Sequence, residues 1–256
     1  MTARTYLVNG LVAGLVAGLL AFTVAFLVGE PPIDDAIALE ETTSAGVVED
    51  EPTTEPGHTT EVTRGQQAGP GLLTALAIFG VVLGGITGIG AAFAAGRLGR
   101  LRPVGAVALV AGAGFVSYTL VPWLKYPPNP PAVGSEETLG ERTALFFSFV
   151  SLSVLVALFV VMLTARLIGR IGATNAVAVS VVVYVAVMIV GGVALPPIEE
   201  VPTDFPAATL YDFRVSALLT QGTMWLGIGL LLSVLTARSE ERTLAEARRR
   251  AEVAAL

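Results

Sequence analysis

YLVNGLVAGLVAGLLAFTVAFLV, residues 6–28, decides the fold: it runs 23 residues without a charged side chain. About 20 apolar residues in a helix cross a bilayer core, so this stretch is long enough to span. It also exceeds the apolar core of a secretory signal, about 7–15 residues, and no clear small-x-small cleavage site follows, which marks a retained helix. Five further runs meet the same test: Leu72 to Ala95, Val104 to Pro122, Ala144 to Ala165, Thr174 to Leu195 and Ser216 to Ala237. The expected fold is an all-α polytopic membrane protein with six transmembrane helices, in the multi-pass manner of a bacterial-type plasma membrane protein.

Composition agrees. The 256 residues are 54% hydrophobic and only 14% charged, against about 25% charged in soluble domains, and the mean hydropathy is +0.74. With no cysteine, thiolate metal sites, disulfides and cysteine nucleophiles are excluded; with one histidine, His58, so is a multi-histidine centre within one chain. No nucleotide-binding motif occurs, and nothing points to nucleic acid. No catalytic constellation is visible, so the chain does not read as an enzyme.

Charge orients the bundle. If six helices alternate, 11 of the 15 basic residues, from Arg4 to Arg250, fall on the side of the termini, which is then cytoplasmic by the positive-inside rule. The opposite side receives 17 of the 21 acidic residues. Its three connections share a pattern: "GEPPIDDAIALEE" from Gly29, "KYPPNPPAVGSEETLGERTALFF" from Lys125 and "LPPIEEVPTDFPAATLYDFRVSALL" from Leu195. Each opens on a Pro-Pro pair, passes through carboxylates and reaches a lone arginine: Arg64, Arg142 or Arg214. This reads as one helical hairpin used three times. Glu61, Glu141 and Asp212 lie within three residues of these arginines, so an outer charge network is expected, with interfacial snorkelling as the plainer alternative. Lys125, the only lysine, either joins that network through Glu136 and Glu137 or reaches lipid phosphate. The prolines after it pre-set a loop that holds its shape.

The membrane domain is expected over 1–238. Its outer segment 30–68 is acidic and partly disordered, since Ala45 to Thr63 is too poor in apolar residues to fold alone. A short cytoplasmic helix is expected over 239–256, capped by Ser239 and carrying a Glu246–Arg250 pair. Within the spans the glycines Gly10, Gly14 and Gly18, and Gly80, Gly84 and Gly88, recur every four residues and predict close helix contact. No charge lies within any span, so the proton relay that intramembrane carboxylates usually mark is not in view.

Hard and borderline divalent cations favour carboxylate, carbonyl, water and imidazole ligands. Candidate ligands near the outer helix ends are Asp34, Asp35, Glu199, Glu200, Asp204 and Asp212, with His58 between Glu55 and Glu61. A lone histidine in such a loop is more often an ordinary solvated side chain.

The blocks "GLVAGLLAFTVAFLVGEPPIDDAIALEE", "RGQQAGPGLLTALAIFGVVLGGI", "VPWLKYPPNPPAVGSEETLGERTALFFS" and "FPAATLYDFRVSALLTQGTMWLGIGL" resemble the CbtA family of predicted cobalt transporter subunits, over about Leu7 to Leu232. The resemblance implies cobalt transport linked to cobalamin biosynthesis, and a small companion membrane subunit bearing histidines. Many members carry a histidine-rich first outer loop, where this chain has only His58. The expected function is uptake of Co²⁺ or a related divalent cation as substrate, with no permanently bound cofactor and with a homo-oligomer left open. The alternative is a non-transporting membrane scaffold whose ordered outer cap binds a partner protein.

Overall fold

The computed structural model describes residues 1–45, 63–97, 101–135 and 137–254, and among these residues every regular element is a helix. Six helices are long and apolar enough to cross a membrane: α1 (Ala3–Thr42), α2 (Arg64–Ala94), α3 (Pro103–Lys125), α4 (Leu139–Ile171), α5 (Ala173–Ala194) and α6 (Ala207–Ala254). Asn9 at the start of α1 donates to Ser239 Oγ on α6 at 3.2 Å, so the two chain ends share one end of the bundle. The opposite end is called distal below.

The glycine registers become the tightest contact in the molecule. A Cβ built on Gly14 would fall on the Gly80 carbonyl oxygen, and one on Gly84 would lie 2.7 Å from the Gly14 Cα. Only hydrogen side chains permit that approach of α1 to α2. α6 packs against α1 and α3, and α3 also meets α2, giving a four-helix group. Its core holds Ala17, Ala21, Leu83, Met224, Trp225 and Ile228, with a second cluster of Tyr6, Ala13, Ala91, Val107 and Leu232.

Helix α4 pairs with α5, and reaches the rest of the protein through the distal half of α3. The turn between them is Gly172 alone, whose φ of +80° is left-handed backbone that suits glycine. A third cluster, Tyr126, Phe149, Tyr184 and Met188, ties this pair to the end of α3. Of the three outer hairpins of the sequence, the first is packed along the glycine seam of α1 and α2 and the second meets at the distal half of α3, within a group of four helices and a group of two.

Two expected boundaries move. α1 does not stop at the prolines but continues through Pro31 and Pro32 to Thr42, because a π-helical turn over Ala25–Gly29 immediately precedes them. Proline removes the donor to the carbonyl four residues earlier and crowds it, and a wider turn relieves both effects. At the other terminus, Ser239 caps nothing. α6 runs unbroken through it to Ala254, and the expected tail helix is the continuation of the last span.

Candidate functional site

Three π-helical turns distort the distal halves of consecutive spans: Ala25–Gly29 in α1, Gln67–Gly71 in α2 and Phe115–Leu120 in α3. Each has proline within it or within two residues after it: Pro31, Pro70 and Pro122 respectively. Such turns frequently occur at functional sites. Here two of the three line one cavity of about 970 Å³, through Ala25 and Gly29 in α1 and Tyr118 and Thr119 in α3, and Leu72, the residue after the turn in α2, joins them. Its lid is the proline loop Pro127 to Pro131, and its far walls come from Phe146 and Phe147 on α4 and from Phe213 to Gln221 on α6.

The lid is held from several sides. Tyr126 Oη donates to the Pro196 carbonyl at 2.8 Å and Lys125 Nζ to the Leu195 carbonyl at 3.1 Å. Arg214 Nε donates to the Pro128 carbonyl at 3.3 Å, and its Nη2 to Asn129 Oδ1 at 2.8 Å. Trp123 Nε1 returns a bond to the Arg214 carbonyl at 3.2 Å. The partner described for Lys125 is thus a neutral oxygen, the Leu195 carbonyl, and Glu136 lies outside the described residues.

The lone arginines divide. Arg64 pairs with Glu30 and with Asp34, its Nε 3.0 Å from Asp34 Oδ1. Arg142 Nη1 lies 3.0 Å from Glu200 Oε2, joining α4 to the segment after α5. The Arg214 guanidinium, among the described residues, is held by the proline loop. Each arginine thus reaches across the fold instead of to Glu141 or Asp212 beside it, both of which are exposed; Glu61 lies outside the described residues.

Among the proposed cation ligands, Asp34 and Glu200 are engaged by arginines. Asp35, Glu199, Asp204 and Asp212 are exposed, and His58 lies outside the described residues. No three His, Asp or Glu side chains converge among the described residues. The sequence reading missed Glu30, buried against Arg64; its place at the end of the first apolar run was the available signal.

Within the spans several polar groups satisfy one another. Trp225 Nε1 donates to Thr119 Oγ1 at 3.0 Å, Ser153 and Tyr184 hydroxyls lie 2.7 Å apart, and Thr164 donates to Ser180 at 2.6 Å. Gln221 Oε1, in the cavity wall, is buried without a partner. Trp225, one turn further along α6, lies over Gly114, where a Cβ would fall on its ring.

A family model described as "probable cobalt transporter subunit (CbtA)" matches residues 3–237, nearly the whole chain. The chain belongs to the CbtA family. No curated protein and no solved structure matches it significantly. Six membrane-length helices fit a multi-pass CbtA protein, and the family description is that of part of a transporter, not of an enzyme.

Proposed function

We propose that this CbtA chain takes up Co²⁺ or a related divalent cation across the cell membrane, with its termini inside and its distal cavity facing out. The observation that carries the reading is the cavity itself. Two proline-distorted spans, α1 and α3, with the start of α2 and a braced loop, border a chamber at one end of a six-span chain, in a family described as a transporter's subunit. The exposed carboxylates of Asp35, Glu199 and Asp212 each lie within two residues of a cavity-lining residue, Ile33, Ile198 or Phe213. Their field raises the local cation concentration. Trp225 is buried on the inner side of Thr119, to which its Nε1 donates. An inside-negative potential supplies about 4.6 kcal/mol per 100 mV for a divalent ion. A companion subunit bearing histidines would add ligands softer than the carboxylates of this chain.

The test is ⁵⁷Co²⁺ uptake into liposomes holding only this chain, with and without an inside-negative potential and with Ni²⁺, Zn²⁺ and Mg²⁺ as competitors. Saturable, potential-driven uptake, reduced in the triple variant D35N/E199Q/D212N, is expected. Folded protein that moves no cobalt, alone or with its companion, would leave the scaffold reading in its place.

A further inference from the structure

The charge and size of the distal cavity suit an organic anion. Its lining includes Lys125, Arg142 and Arg214 but, among the described residues, only one carboxylate, Glu30, which Arg64 already engages. Glu200 answers Arg142. The described bonds of Lys125 and Arg214 go to neutral oxygens alone: the Leu195 and Pro128 carbonyls and the Asn129 amide. Two cationic charges therefore border the chamber without a described counter-ion. Each keeps donors to spare, since a guanidinium carries five N–H groups and an ammonium three.

Size points the same way. A metal ion with six waters occupies roughly 180 Å³, at about 30 Å³ per water. The cavity holds about 970 Å³, within the roughly 300–1,000 Å³ typical of sites for organic ligands. Phe146, Phe147 and Leu218 give it apolar wall, which lowers the local dielectric and strengthens any charge pairing inside.

We infer that the distal cavity binds a small organic polycarboxylate, with Arg214 and Lys125 holding its carboxylates. The anion site stands on the cavity's own lining and goes beyond the uptake reading, whose cation is drawn to the exposed acids at the rim.

The experiment uses the full chain in nanodiscs of phosphatidylcholine only and reads Trp123. This ring lines the cavity and donates to the Arg214 carbonyl; W123F assigns the signal. Citrate, cobalt citrate and CoCl₂ are titrated separately. Saturable responses to citrate and cobalt citrate are expected, weakened by salt, at least tenfold weaker in R214Q and in K125Q, and partly restored in R214K. If R214Q fails to fold, K125Q carries the comparison. A response to CoCl₂ with none to either citrate species would overturn the inference in favour of a cation site. Loss of citrate binding when phosphatidylglycerol is added would overturn it in favour of a lipid head-group site. Citrate binding in protein that gives no flux would support the anion site while counting against the uptake reading alone, so the two failures are distinguishable.

Discussion

Gly134 shows how one residue without a side chain holds two charged ones. Its φ is +103°, and a Cβ there would fall on the Arg142 guanidinium and lie 2.7 Å from Glu200 Oε2. G134A therefore strains the backbone and parts the ion pair. The expected cost is about 1–3 kcal/mol, read as a lower thermal midpoint in detergent, and a midpoint within a degree of the parent would refute it. Glu30 and Arg64 offer a second test, since Glu30 is only 8% exposed. A double-mutant cycle of E30Q and R64Q is expected to show coupling of about 1–2 kcal/mol, and additive effects would mean that the pair holds nothing. At this scale the sequence showed which arginines matter but not their partners. Glu141 and Arg142 are consecutive, and Asp212 and Arg214 two apart, spacings that do not face each other on a helix. The true partner of Arg142 is Glu200, brought near only by the tertiary fold.

Helices were legible where the signal was local. Length and absence of charge fixed the six spans, and the four-residue recurrence of glycine marked the faces of α1 and α2 that meet. That contact predicts a contrast within one substitution type. G84A places a methyl against the backbone of Gly10 and Gly14, which cannot rotate aside, and is expected to cost at least about 3 kcal/mol. G112A meets nothing within 4 Å and is expected to be neutral or stabilising by about 0.5–1 kcal/mol. Denaturation of both variants in the same detergent decides the matter; equal effects would mean that the seam is not tight. The π turns were not legible. Proline ordinarily signals the end of a helix, and only the structure shows Pro31, Pro70 and Pro122 absorbed into helices that widen around them. The cavity they border was hidden for the same reason.

Across the whole molecule, the α4–α5 pair meets the four-helix group through the distal half of α3, and much of that junction is Tyr126. Its ring packs edge-on to Phe149 at 5.9 Å and its hydroxyl holds Pro196. Beyond the glycine seam of α1 and α2, which helices pack together could not be read from the chain, because sequence neighbours such as α5 and α6 share a connection while their partners are set by the tertiary fold. The junction should open before either group melts, since regions with fewer buried contacts open at lower free energy. Burial also pushes the Tyr126 phenol above its ordinary value. A raised folded value means that the phenol's contribution is complete below its unfolded value near 10 and is lost as pH rises through the folded one, so the junction holds across neutral pH. Y126F removes one hydrogen bond, about 1 kcal/mol, while keeping the ring. Hydrogen exchange is expected to quicken about fivefold over residues 195–201 and at the start of α4, while the interior of α1 and α2 is unchanged. Uniform quickening through all six helices would show that the protein opens as one unit. Confined quickening would identify the α4–α5 pair as a separate body, the kind of element whose rocking against a fixed bundle can expose a cavity alternately to the two sides of a membrane.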